Sequence, residues 1–70
     1  MLKMHICANY SAAIKMLRKK MLLTQSELAD ILGVSFASVN RWENYEHEPT
    51  MIIKRKLALF FKEYNIIIEE

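Results

Sequence analysis

The chain has 70 residues, of which 53% are hydrophobic, and its formal net charge is +2. This length predicts one domain over residues 1–70 that buries only about 60% of its unfolded surface, so its stability depends on well-packed helices or on oligomerisation. The small net charge argues against a basic tail that binds any polyanion, and no segment approaches the ~20 apolar residues of a membrane span.

The composition also argues against several classes of enzyme and metal site. His5 and Cys7 supply two metal ligands, fewer than the three or four that zinc requires. The sequence contains no nucleophile elbow and no glycine-rich phosphate loop. We therefore expect no enzyme activity, no metal and no cofactor. A single cysteine without an export signal indicates a reducing cytoplasm.

The first ten residues allow two interpretations. Leu2, Met4 and Ile6 alternate with more polar neighbours, a period of two that is typical of a short strand. A loosely ordered arm is equally consistent with the same residues, so both alternatives stay open.

The first main helix is predicted from Ser11, as its N-cap, to about Lys20. One of its faces carries an arginine among apolar residues, in the order Ile14, Leu17, Arg18 and Met21. Because an unpaired buried charge is costly, Arg18 needs an acidic partner.

Residues 24–43 predict two short helices joined by the only glycine of the chain. Thr24 and Glu27 have the spacing of a capping box. Apolar residues follow at helical spacing, namely Leu28, Ile31 and Leu32, with Ala29 beside them. Gly33 can end this helix in a left-handed conformation, and Ser35 can cap the next one. Helices joined by so short a turn cross steeply, which is typical of a helix-turn-helix.

The second of these helices, residues 35–43, has two distinct faces. Val39 and Trp42 are large and apolar and are predicted to face the core. The opposite arc carries four side chains of the types that read base edges: Phe36, Ala37, Asn40 and Arg41. Asparagine pairs with adenine, arginine pairs with guanine, and apolar groups contact the thymine methyl.

Residues 23–43 resemble the helix-turn-helix of the Cro and phage-repressor (Xre-type) family, and the resemblance extends over about residues 13–64. The residues that carry it are Gln25, Ala29, Gly33, Val39, and Glu43 followed by Asn44. It implies a compact all-α domain of four main helices, similar to the lambda-repressor DNA-binding domain, with short terminal segments that could be extended. It also implies a buried ion pair between Arg18 and Glu43.

The resemblance implies phosphate contacts from residues around the two helices. Gln25 would clamp the DNA backbone from the start of the first motif helix, with Ser35 and Ser38 as further candidates. In the loop after the second helix, Asn44 and Tyr45 could donate to phosphate, whereas the nearby Glu46 and Glu48 would repel it.

The chain departs from the family at two turns. A glycine commonly ends the first helix where this chain has Met21, Leu22 and Leu23, which predicts a less regular turn and an exposed Leu22. A glycine also often follows Asn44, where this chain has Tyr45; Asn44 can itself adopt a left-handed conformation, so the turn remains feasible.

Thr50, after Pro49, is predicted to cap the last helix. Its core stripe is Ile53, Leu57, Phe60, Phe61 and Tyr64. Three apolar residues near or off this stripe are candidates for a dimer contact: Met51, Ile52 and Leu59. The run Ile66–Ile68 could pack on the core, pair with residues 2–6 as a small sheet, or serve the dimer.

The resulting hypothesis is a sequence-specific regulator that binds double-stranded DNA as a homodimer, most simply a repressor. The alternative is a protein-interaction or antitoxin-like module that uses the helix-turn-helix only as a scaffold and binds a protein partner. Salt dependence separates the two, because phosphate contacts weaken steeply with ionic strength.

Overall fold

The structure is a computed structural model that describes residues 4–69, so Leu2 and Lys3 lie outside the described residues. Within that range the order of elements is β1 (His5–Cys7), α1 (Tyr10–Lys20), α2 (Gln25–Leu32), α3 (Phe36–Glu43), α4 (Met51–Glu63) and β2 (Ile66–Ile68). The predicted compact all-α fold of four main helices is confirmed, and the pair of short strands is a small addition to it.

Helix α1 begins earlier than predicted, because Asn9 and not Ser11 is its N-cap. The Asn9 Oδ1 accepts a hydrogen bond from the backbone N–H of Ala12 at 3.0 Å, which satisfies one of the free amides of the first turn. Ser11 lies inside the helix and is buried, and its hydroxyl donates to the backbone carbonyl of Trp42. The prediction was wrong because Ser11 is used to join α1 to α3.

The capping predicted for α2 and α3 is confirmed. Thr24 accepts from the backbone N–H of Glu27 at 3.1 Å, and the Glu27 carboxylate accepts from the backbone N–H of Thr24 at 2.9 Å. Gly33 ends α2 with a φ of 72°, and Ser35 accepts from the N–H of Ser38 at 3.2 Å at the start of α3. The two helices therefore have well-defined ends on both sides of a short turn.

Three other helix ends use a left-handed residue that is not glycine: Leu22, Tyr45 and Asn65, with φ values of 57°, 65° and 58°. After α1, the N–H of Leu23 donates to the carbonyl of Arg18 and the N–H of Leu22 to that of Lys19, which is a Schellman motif. Tyr45 closes the same motif after α3, so the left-handed residue of this turn is Tyr45 and not Asn44, whose φ is −97°. Asn44 remains in the last turn because its own N–H still bonds back to the helix.

Helix α4 covers the other side of the core. Ile53, Leu57 and Phe61 are buried along one stripe, while Phe60 and Tyr64 are partly buried against the same core. Thr50 occupies the N-cap position, but its side chain makes no capping hydrogen bond, so the predicted cap is only positional.

The strands β1 and β2 pair in parallel, with Ile6 opposite Ile67. The N-terminal segment thus forms a strand, and the C-terminal isoleucines pair with residues 5–7 and not with residues 2–6. Ile66 also packs in the core, so two of the three alternatives for this run are realised together, and its role in a dimer stays a prediction. Cys7 and Ile66 face inward and are buried, whereas Met4 and Ile6 are exposed. The more apolar face of β1, which carries Met4 and Ile6, is thus the solvent-exposed one, because β1 packs its other face against α1.

The core lies between the helices. Its largest fully buried side chains are Ile14, Leu17, Leu28, Leu32, Val39 and Leu57. Ala29 is also buried, and its small side chain lets α2 and α3 approach closely. Ile31 shares the helical spacing of its neighbours but is exposed, since it lies at the edge of the stripe.

Candidate nucleic-acid interface

Helix α3 presents one side to solvent and is anchored by the other. Val39 and Trp42 are buried beneath it. Phe36, Ala37 and Arg41 are exposed, and Asn40 is half-buried. Because the buried residues fix the rotation of the helix, the four candidate base-reading side chains project from a rigid support on the same outer surface.

The end of α3 is tied to α1 by a charged pair. The Nε of Arg18 donates to Oε2 of Glu43 at 2.8 Å, and its Nη2 donates to Oε1 of the same carboxylate at 3.0 Å. The side chain of Glu43 is only 3% exposed, against 23% for Arg18. The hydrogen bond to Glu43 raises the pKa of the Arg18 guanidinium, although burial opposes this. The structure therefore brings together the two residues that the sequence assigned to an ion pair.

Two further hydrogen bonds join the Arg18–Glu43 pair to the loop between α1 and α2 and to the first residue of α2. The Nη1 of Arg18 donates to the carbonyl of Leu23 at 3.2 Å, and the Nε2 of Gln25 donates to Oε1 of Glu43 at 3.2 Å. One carboxylate thus links α1, the start of α2 and the end of α3. The helix-turn-helix keeps a fixed orientation on α1 as a consequence.

The residues assigned to phosphate contacts are in different environments. Ser35 and Ser38 are at the start of α3, and their hydroxyls lie 3.0 Å apart and share a hydrogen bond. Gln25 is half-buried and held by Glu43, as described above. Asn44 and Tyr45 are exposed after α3, and the Lys15 Nζ lies 5.6 Å from the centre of the Tyr45 ring. Ser35, Asn44 and Tyr45 are thus exposed, whereas Gln25 and Ser38 are half-buried.

The two glutamates of the following loop differ in their pairing. Glu48 accepts a hydrogen bond from the Nζ of Lys54 at 2.8 Å, so its charge is partly compensated. Glu46 is exposed and makes no ion pair within residues 4–69. Of the two carboxylates expected to repel phosphate, only Glu46 keeps its full effect.

A helix-turn-helix family model matches residues 14–65, which is most of the chain. The chain belongs to the Cro and phage-repressor helix-turn-helix family. Neither a curated protein nor a solved structure matches it significantly. This family consists of DNA-binding regulators and is not a family of enzymes.

In this helix-turn-helix domain, two more cross-links, besides the one from Ser11 to Trp42, were not predicted from the sequence. The Lys56 Nζ donates to the carbonyl of Leu32 at 3.2 Å, which ties α4 to the end of α2. The link between Gln25 and Glu43 was missed as well. No local pattern reveals either contact, since each joins residues 18 or more positions apart.

The structure also bears on membrane insertion and on metal binding by the helix-turn-helix domain. In residues 4–69 no helix is long and apolar enough to cross a membrane. Among the same residues, the structure brings together no cluster of three or more His, Cys, Asp or Glu side chains that could hold a metal ion.

Proposed function

We propose that the chain is a transcriptional regulator, most simply a repressor, that reads double-stranded DNA by placing α3 in the major groove. One observation carries this proposal: Val39 and Trp42 are buried under α3 while Phe36 and Arg41 stand exposed on its other side. A recognition helix needs this separation, because it must be rigid and still offer free side chains to base edges.

Each exposed group has a defined task in this proposal. Arg41 donates two hydrogen bonds to a guanine, and Asn40 pairs with an adenine. Phe36 and Ala37 contact thymine methyl groups. Contacts to phosphate from Asn44 and Tyr45, and from Gln25, Ser35 and Ser38 once their present partners rearrange, set the register of the helix without reading sequence.

Two copies of the chain would read two half-sites about one helical turn apart. In such a homodimer each α3 enters one major groove, and the operator is a near-palindrome. Three exposed apolar residues of α4, namely Met51, Ile52 and Leu59, are the subunit contact that the sequence suggests. A cytoplasmic location is consistent with the free, buried thiol of Cys7, since reduced cysteines persist there.

The experiment is selection of bound duplexes from a random pool, followed by affinity measurements with two arginine variants. Arg41→Ala is expected to lose about 1–3 kcal/mol and to relax the preference at one base pair. Arg55→Ala is the matched control, because Arg55 is also exposed but lies on α4. Base preference should be unchanged in the control. An equal loss by Arg41→Ala on every duplex would mean that Arg41 contacts phosphate and does not read a base.

A second candidate function is a protein-interaction module of the antitoxin or adaptor type. The exposed Ile52 and Leu59 and the uncompensated charge of Glu46 favour it. Affinity for DNA should fall steeply between about 50 and 200 mM salt if phosphate contacts dominate. Binding to a protein through apolar side chains would change little over the same range.

A further inference from the structure

A cleft of about 530 Å³ lies between the end of α2, one side of α3, the loop after α3 and the start of α4. Its volume is within the range of about 300–1,000 Å³ that is usual for small-molecule sites. Its lining includes the apolar side chains of Val34, Trp42, Ile52 and Ile53. The cleft can therefore hold the apolar body of a small molecule next to α3.

The charges that line the cleft favour an anion. Arg41 and Lys56 supply two cationic groups, and the imidazole of His47 is a further hydrogen-bonding group. Among the described residues of the lining, the carboxylate is that of Glu48. Its charge is partly compensated, because the Nζ of Lys54 donates to it at 2.8 Å. The cleft thus carries an excess of positive charge, which attracts anions.

Both cations have donors left for a ligand. Within residues 4–69 the side chain of Arg41 makes no hydrogen bond and no ion pair. The Nζ of Lys56 donates to the carbonyl of Leu32 at 3.2 Å, which uses one of the three N–H groups of its ammonium. A Cβ at Gly33 would lie 3.9 Å from this Nζ, so a longer side chain at that position would cover the ammonium. Glycine leaves it open.

We propose that this cleft binds a small aromatic carboxylate, with Arg41 and Lys56 holding the carboxylate and the ring packing against the apolar lining. The planar guanidinium can donate to both carboxylate oxygens in parallel, and the ammonium adds a further bond. An aromatic ring is favoured over an aliphatic chain because Trp42 is part of the lining, and aromatic pairs gain more than their buried area. A bare inorganic anion would leave the apolar side chains uncovered, whereas a neutral molecule would leave both cations without a partner.

Occupation of the cleft should weaken DNA binding, an effect that rests on the function proposed above. Arg41 lines the cleft and is also the residue proposed to donate to a guanine. A side chain that turns into the cleft to hold a carboxylate cannot at the same time reach a base edge in front of α3. Saturation with the ligand should therefore lower the affinity for the preferred duplex about fivefold or more, as the loss of Arg41 would.

The first test uses the full chain without DNA and three matched probes. Indole-3-acetate has both a ring and a carboxylate, indole-3-acetamide is its neutral counterpart, and acetate lacks the ring. In an NMR titration, indole-3-acetate should shift the indole N–H of Trp42 and the amides of Val34 and Ile52, with a dissociation constant on the order of 1 mM. Both other probes should bind about tenfold more weakly. Equal binding of indole-3-acetamide would overturn the role of charge, and equal binding of acetate or inorganic phosphate would leave only a general anion site, such as one for DNA phosphate.

Two pairs of variants on α4 separate the cleft from the rest of the helix. Lys56→Met removes a cation of the cleft, and Lys62→Met removes an exposed lysine that does not line it. Ile52→Ala and Leu59→Ala shorten residues that are 67% and 73% exposed, of which only Ile52 lines the cleft. Lys56→Met and Ile52→Ala should weaken the binding of indole-3-acetate several-fold, while their controls leave it unchanged. Equal losses within either pair would contradict the site, and circular dichroism melting verifies that each variant is folded.

The last test adds the preferred duplex. Indole-3-acetate at saturation should raise the dissociation constant of the parent for this duplex, whereas the weaker binding of Arg41→Ala should not respond to it. An unchanged affinity of the parent would overturn the coupling between the cleft and DNA. Because the titrations and the α4 variants are measured without DNA, a chain that failed to bind DNA would refute the proposed function and leave the result on the cleft intact.

Discussion

Replacing Arg18 by methionine should destabilise the domain strongly, because it leaves the carboxylate of Glu43 without its cationic partner. Methionine preserves most of the apolar stem of the side chain and removes the guanidinium. Glu43 would lose the hydrogen bonds of 2.8 and 3.0 Å and keep only the one from Gln25. Its side chain is 3% exposed, so water cannot readily replace what is lost.

The size of the effect follows from the unequal burial of the pair. Removing one partner of a buried ion pair costs about 3–5 kcal/mol. Because Arg18 is 23% exposed and its site admits some water, we expect the lower end, about 3 kcal/mol. In a domain of this size that lowers the melting temperature by roughly 12–24 °C. Glu43→Leu should cost less, about 1–2 kcal/mol, since Arg18 keeps the carbonyl of Leu23 and partial hydration.

The assay is urea and thermal unfolding, followed by circular dichroism, of the parent, Arg18→Met, Glu43→Leu and the double variant. The double variant should be more stable than Arg18→Met alone, because apolar residues can replace a buried ion pair at little cost. The interaction free energy from this cycle should exceed about 1 kcal/mol. Unchanged melting of Arg18→Met, or strictly additive losses in the double variant, would refute a buried and coupled pair.

Two smaller effects follow from the helix ends. Leu22→Gly should stabilise the domain by about 1 kcal/mol in urea unfolding. Leu22 is 89% exposed, so little packing is lost, and its φ of 57° is unfavourable for leucine but not for glycine. A destabilised variant would contradict this. Hydrogen bonds from Thr24 hold the pKa of Glu27 below its ordinary value of 4.5. In the parent, ionised Glu27 should therefore stabilise the fold at pH values above 4.5, and this stabilisation should be lost as the pH falls through the lowered pKa. The Glu27→Gln variant has no such carboxylate, so its stability should decrease less as the solution is acidified. Identical pH profiles of melting temperature would disprove that role.

Much of the helix-turn-helix could be predicted because its signals are local. Thr24 with Glu27, Gly33 and Ser35 each satisfy backbone groups within four residues of themselves. The burial of Val39 and Trp42 follows from helical periodicity alone. Local capping and periodicity were sufficient to identify which side of α3 faces outward.

The sequence was misleading, or left the choice open, where two local solutions compete. Asn9 and Ser11 can both cap α1, and only the contact of Ser11 with Trp42 removes it from that role. Asn44 and Tyr45 can both supply a left-handed residue. The Schellman bonds after α3 decide for Tyr45, although an isolated tyrosine rarely adopts that conformation.

By itself, the sequence determined the four helices, the turn at Gly33 and the exposed side of α3, because caps and periodicity act over a few residues. Tertiary structure decided the links that join distant segments: Gln25 to Glu43, Lys56 to Leu32, and β1 to β2. It also decided that Ile6 and not Cys7 faces solvent. A strand can bury either of its faces, and only the packing of α1 against one of them makes that choice.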